Sequence, residues 1–146
     1  MELKFSEYAK IRKPVAEVFD AVVDPAKLSK YFTTGGASAP LVEGATVTWD
    51  FADFPGAFPV RVRQVVPNRS ILLEWQAGDG KYDTRIQISF ESLDSESSRI
   101  QIAESGWKET QAGLEASYGN CYGWMHFLCC LKVWLERGIT LREFFF

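Results

Sequence analysis

The chain is poor in the residues that most often carry chemistry. It has one histidine, His126, and a Ser-His-Asp or Cys-His relay would have to use it; no partner pattern surrounds it. Cys130 follows four residues later, on the same helical face, which makes half a metal site with no second pair of ligands at a suitable spacing. There is no glycine-rich phosphate loop. No metal and no cofactor are expected. The three cysteines, Cys121, Cys129 and Cys130, lie close together on one segment, which excludes a disulfide framework and suits reduced thiols in a cytoplasmic protein. With a net charge of −3 and no run of lysine or arginine, the basic footprint of a nucleic-acid partner is missing. No stretch approaches the ~20 apolar residues that a membrane span needs. The N-terminus, MELKFSEYAKIRK, lacks the apolar core of a signal peptide. Internal repeats, low-complexity tracts and linkers are absent too, so one domain over residues 1–146 is expected.

Aromatic residues, by contrast, are plentiful at 14%. They gather in alternating segments and in one long C-terminal run, LEASYGNCYGWMHFLCCLKVWLERG, from Leu114 to Gly138. Leu114, Tyr118, Cys121, Met125, Leu128, Leu131 or Lys132, and Leu135 recur at steps of three and four, the period of a helix face buried on something broad. Trp124, Phe127 and Trp134 widen that stripe. Such a helix is roughly 36 Å long, and only a large sheet covers so much apolar length.

The upstream sequence supplies the sheet. Residues 3–11 read as a first strand. Pro14 then opens a helical stretch, PVAEVFDAVV, and Asp24-Pro25 launches a second short helix by an N-cap aspartate and a first-turn proline. After a small-residue loop over 33–44, five segments alternate with period two. Their apolar sides carry Val47, Trp49 and Phe51; Phe58, Val60 and Val62; Ile71, Leu73 and Trp75; Thr84, Ile86, Ile88 and Phe90; and Ile100 and Ile102. One apolar face per strand means an antiparallel sheet covered on one side only. Turns are expected at Pro55-Gly56, Pro67-Asn68, Gly78-Asp79-Gly80 and 94–98. The predicted architecture is α+β: a curved antiparallel sheet of about six strands wrapped around the long C-terminal helix, with two short helices after the first strand.

That order, together with PVAEVFDAVVDPAKLSKYF, VTWDF, VRVRQVVPNRSILLEW, ESGW and GNCYGWMHFLCCLKVWLERGITLR, resembles the START-like (SRPBCC, helix-grip) superfamily, and more narrowly its heat-shock-ATPase-activator-like branch. The usual Trp-Phe pair after the second helix is here Tyr31-Phe32. The resemblance implies a hydrophobic cavity between the concave face and the long helix, which in the superfamily takes lipids, sterols, polyketides or plant hormones. Some members catalyse cyclisation. In the chaperone activators such a domain works with a separate N-terminal domain, so stimulation of a chaperone ATPase is not expected of this segment alone.

The expected ligand is therefore an apolar or amphipathic small molecule. Its wall would be drawn from Trp49, Phe51, Phe58, Val60, Trp75, Ile86, Ile88, Trp107, Tyr118, Cys121, Trp124 and Met125, with Tyr82, Tyr118, Glu7 and Glu104 as polar groups. Rings that simply fill the core are the competing reading. Alternation turns Glu7 and Glu104 inward, where an unpaired carboxylate takes up a proton or finds a partner; a bulge or strand end would turn either to solvent. Gly119 and Gly123, four apart in the helix, signal close packing against the short helices, a kink, or room for a ligand. Asn120 beside them could hydrogen-bond into the cavity, but helix geometry sets it off the main apolar face. Two other functions stay open: a cyclase or dehydratase using an inward carboxylate, and a chaperone-interaction or self-association module. Phe144, Phe145 and Phe146 either dock on the chain's own surface or build a homodimer contact.

Overall fold

A computed structural model describes residues 1–146. Seven strands form one antiparallel sheet in the order β1-β7-β6-β5-β4-β3-β2. The strands are β1 (Leu3–Ile11), β2 (Gly36–Ala37), β3 (Thr46–Phe51), β4 (Phe54–Val66), β5 (Ser70–Gln76), β6 (Asp83–Asp94) and β7 (Ser97–Trp107). The helices are α1 (Val15–Val23), α2 (Pro25–Tyr31) and α3 (Gln111–Arg137). The seventh strand is the two-residue β2, in the loop rich in small residues, where Gly36 and Ala37 pair with Asp50 and Trp49. It is too short for alternation to reveal.

The alternation places the apolar residues as expected. Val47, Val60, Val62, Ile71, Leu73, Ile86, Ile88, Ile100 and Ile102 are all buried on the concave face. The opposite face stays wet and ion-paired. Glu74 accepts from Arg63 Nε at 2.9 Å and from Arg85 Nη2 at 3.1 Å across three strands. One turn differs from the expectation. The β3–β4 hairpin reverses at Ala52-Asp53, and Pro55-Gly56 lie inside the long strand β4. Gly56 there has φ +133°, a conformation open to glycine alone, so it marks an irregularity within the strand rather than its end.

Asp24 caps α2 by accepting from Ala26 N at 2.9 Å, with Pro25 at the first helical position. Tyr31 then ties the helices together. Its hydroxyl donates to Ala21 O at 2.9 Å, and its ring stacks on Trp134 at 5.3 Å. The next residue, Phe32, turns towards the centre of the concave face.

The long helix starts three residues earlier than expected, behind the N-cap Thr110, and ends at Gly138 in the left-handed conformation. Its inward face differs in the first half. Gly113, Ser117, Trp124, Phe127, Leu128 and Leu131 are buried, whereas Tyr118 is 63% and Met125 38% exposed. The apolar stripe read from the sequence is one residue out of phase there, because the residues that face inward are small or polar. α3 packs chiefly along β1. That placement leaves a gap between the helix and β3–β5.

Candidate functional site

Beneath α3, in that gap, lies the most buried carboxylate of the chain. Glu104 continues the inward face of Ile100 and Ile102, three residues before β7 ends, and is 1% exposed. Four side chains donate to it. Trp75 Nε1 on β5 reaches Oε1 at 2.9 Å, and Thr84 Oγ1 on β6 reaches the same oxygen at 2.7 Å. From α3, Trp124 Nε1 reaches Oε2 at 2.9 Å, and Asn120 Nδ2 spans both oxygens at 3.0 and 3.3 Å.

Local structure explains the convergence. Trp75 pairs with Thr84 across β5 and β6, and Ile86, two residues on, pairs with Glu104. Asn120 and Trp124 are one helical turn apart on the same face. The two indoles stack at 5.4 Å with planes 20° apart, so both N–H groups aim at one carboxylate. Burial pushes the Glu104 carboxyl above the ordinary glutamate value, and the donors from Thr84, Trp75, Asn120 and Trp124 oppose that shift. With an indole N–H on each oxygen and an amide across both, the ionised form is the one these donors match.

The gap itself is a pocket of about 290 Å³ between α3, the β3–β4 hairpin and the C-terminal segment. Phe32, Phe51, Trp75 and Trp124 supply aromatic wall, and Asn120 the polar group nearest the carboxylate. Gly119 and Gly123 form its helical side. A Cβ at either would meet nothing within 4 Å, so these glycines open space and do not mark close packing against the short helices. A second hollow of about 540 Å³ shares Phe51, Trp75 and Asn120 with the first and adds Phe58 and Gln76.

Phe54, Tyr122 and the C-terminal segment close the outer side. Arg142, 7% exposed, donates from Nη2 to Asp53 Oδ1 at 3.0 Å, with Nε 3.0 Å from Oδ2, and lies 4.5 Å above the Phe51 ring. This ion pair ties the segment after α3 to the hairpin tip. Phe145 and Phe146 pack on His126 at ring distances of 4.1 and 4.8 Å, while Phe144 projects fully into solvent. Two of the three terminal phenylalanines thus dock on the chain itself. His126 is held below the usual histidine value, first by burial and then by the Arg142 charge. Its ring lies 3.5 Å from Cys130 Sγ, and no cluster of three metal-ligating residues surrounds them.

The residues read from the sequence separate into groups. Phe51, Phe58, Trp75 and Trp124 meet at the two hollows, with Glu104 behind them. Trp49, Val60, Ile86 and Ile88 are wholly buried and fill the core; Trp49 meets Phe32 and Trp75 edge-on. Trp107 joins a separate cluster with Leu3 and Ala77. Tyr82 packs at its border, with its hydroxyl on Asp79 and accepting from Lys108 N at 3.1 Å. Glu7 and Cys121 pair across the α3–β1 contact, with Sγ 2.7 Å from Oε1. Oε2 of Glu7 is buried without a partner. Burial, followed by Glu7, pushes the Cys121 thiol up to about 11. Tyr118 and Met125 lie outside the site, on the outer flank of α3, for the reason of phase given above.

Phe32, Asn120, Arg142 and Phe146 complete the site and are not evident from periodicity, whereas Thr84 stands on the inward side that the alternation of β6 gives it. The one legible trace was polar and small residues, Gly119-Asn120 and Gly123, set in an otherwise apolar helix.

The model of the family described as "Activator of Hsp90 ATPase homolog 1-like protein" matches residues 12–136. The chain belongs to this family. Among solved structures, it is similar to the protein SSP2350 from Staphylococcus saprophyticus, with 25% identity, a TM-score of 0.79, and 97% of this chain and 96% of that one covered. It is also similar to DynU16, a putative protein in the dynemicin biosynthetic locus, at 26% identity and TM-score 0.79; 94% of this chain covers 49% of that one. The Aha1 dimer from Colwellia psychrerythraea shares the fold at 22% identity and TM-score 0.76, over 92% and 97% of the two chains. No curated protein matches. No helix is long and apolar enough to cross a membrane.

Proposed function

We propose that this family member binds an apolar or amphipathic small molecule in the hollow between α3 and strands β3–β5. The observation that carries the reading is the pair Gly119 and Gly123. Gly119, exposed, and Gly123, half-buried, leave out two side chains at the edge of the hollow across from its aromatic wall, and nothing of the protein lies within 4 Å of where a Cβ would stand. Small-molecule sites have this character, apolar walls with few polar groups. Each ~100 Å² of ligand carbon covered there contributes about 2.5 kcal/mol before the cost of immobilisation.

Naphthalene, titrated into the protein, is expected to quench tryptophan emission through Trp75 and Trp124 and to raise the melting temperature. Gly123→Leu, which places a side chain in the space, is expected to abolish both effects. No response in the unaltered protein, or an undiminished one in Gly123→Leu, refutes the assignment.

A catalytic variant of this reading would use an inward carboxylate, but both oxygens of Glu104 are occupied by donors, and Glu7, whose buried Oε2 has no partner, pairs with Cys121 at the α3–β1 contact and lines neither hollow. Cyclase or dehydratase chemistry would need Glu7 as acid or base, and Glu7→Gln would then stop turnover while leaving binding intact. Free cysteines suit a reducing, cytoplasmic setting. The exposed Tyr118, Tyr122, Met125 and Phe144 are the surface a homodimer would use; sedimentation at rising concentration tests it.

A further inference from the structure

We infer that the cavity selects apolar ligands that carry a hydrogen-bond donor, a hydroxyl or N–H, and that Asn120 Oδ1 is the acceptor that meets it. This rests on the cavity being a ligand site and adds the class of ligand.

An asparagine amide can usually be turned over with little penalty, so the atom it shows a ligand is open. Here it is fixed. Both oxygens of Glu104 lie within 3.3 Å of Asn120 Nδ2, so turning the amide would set a carbonyl oxygen against a carboxylate. The amino group must face Glu104. Oδ1 then accepts no hydrogen bond from the protein, and it is not among the buried unpartnered atoms, so it remains open to the space that Asn120 lines.

The neighbouring polar groups cannot substitute for it. The N–H groups of Trp75 and Trp124 and the hydroxyl of Thr84 are all spent on Glu104, so the indoles offer the cavity only carbon. At the far side, Arg142 has its charge met by Asp53. Beside the aromatic wall the group left without a partner is therefore the acceptor Oδ1; on the far side Arg142 Nε, 3.0 Å from Asp53 Oδ2, makes no hydrogen bond of its own, and the His126 ring rests against Cys130. A ligand donor placed there replaces the water it loses on entry, whereas a ligand acceptor would face oxygen. Glu104 acts as a positioning residue: it touches no ligand and sets which atom of Asn120 does.

Calorimetric titration with naphthalene, 2-naphthol, 2-methoxynaphthalene and 2-naphthoate tests this. The probes share one carbon frame and differ in what they present. A net hydrogen bond implies that 2-naphthol binds about threefold to tenfold more tightly than naphthalene and 2-methoxynaphthalene. That preference should vanish in Asn120→Ala while naphthalene still binds. Glu104→Gln, which leaves the cavity wall in place but frees the Asn120 amide to turn, should shrink the ratio of naphthol to methoxynaphthalene affinity. A merely structural role for Glu104 would not move that ratio. Equal binding of the neutral probes overturns the inference and leaves the cavity standing, as does a naphthol preference that survives Asn120→Ala. A preference for 2-naphthoate also overturns it, by moving recognition to Arg142. If no probe binds, the cavity assignment itself fails.

Discussion

Gly119 and Gly123 offer the sharpest test of why the helix is built as it is. Glycine in a helix interior is about 1 kcal/mol less favourable than alanine, through lost backbone freedom. If close packing required these glycines, alanine would collide. The structure shows the reverse, since a Cβ at either position meets nothing within 4 Å. Gly119→Ala and Gly123→Ala should each stabilise the fold by about 1 kcal/mol, and the pair by about 2 kcal/mol. At this chain length that is a rise of ~2–5 °C per substitution.

Gly113, on the same helix, provides the opposing control. Its Cβ would lie 2.0 Å from the Lys108 carbonyl oxygen, a backbone atom, and 3.3 Å from Thr110 Oγ1, which caps the helix by accepting from Gly113 N. Gly113→Ala must displace that cap or the chain before it, at about 2–4 kcal/mol. Thermal unfolding followed by circular dichroism reads all three. Destabilisation by Gly119→Ala or Gly123→Ala would mean that these glycines serve packing, and the reasoning would fall. Stabilisation would mean that the chain forgoes about 2 kcal/mol to keep the hollow open.

Three further outcomes follow from the site. Burial, opposed by four donors, raises the Glu104 carboxyl above its ordinary value of 4.5, so its contribution is full below that value and is lost as pH rises through the folded-state value. The stability of the unaltered protein relative to Glu104→Gln should therefore fall as pH rises from 4.5, then level; denaturant titrations showing a constant or rising difference would refute this. Burial pushes the Cys121 and Cys130 thiols up to about 11, reinforced at Cys121 by Glu7 and opposed at Cys130 by the Arg142 charge, while Cys129 is exposed. Iodoacetamide at pH 7.5 should label Cys129 well before the other two, as peptide mass spectrometry would show, and early Cys121 alkylation would contradict the Glu7 contact. Removing Phe145 and Phe146 uncovers His126, so its depressed titration should move up towards 6.5 in an NMR pH series; an unmoved titration would mean that the two rings do not bury it.

Much of the architecture was legible because it repeats. Strands with one apolar face, an aspartate-proline helix start and one long apolar helix are written in local periods, and each burial face of β3 to β7 follows from them. The β3–β4 turn was harder. Pro55-Gly56 has turn chemistry, yet the chain reverses at Ala52-Asp53, because pairing with β3 carries β4 back to Phe54. The helix phase was misread for a related reason. Hydrophobicity marks the inward face only where that face packs on carbon, and over Gly113, Ser117 and Asn120 it meets a polar group and an empty space.

The sequence alone determined the layers: a one-sided antiparallel sheet, its order of helices, and the helix that must cover it. Tertiary structure decided the site. Glu104, Thr84, Trp75 and Asn120 come from strands and a helix that are distant in sequence, and a carboxylate's direction, partners and proton affinity depend on all of them at once. Periodicity records which way a side chain points along its own element; it holds no record of what stands across the gap.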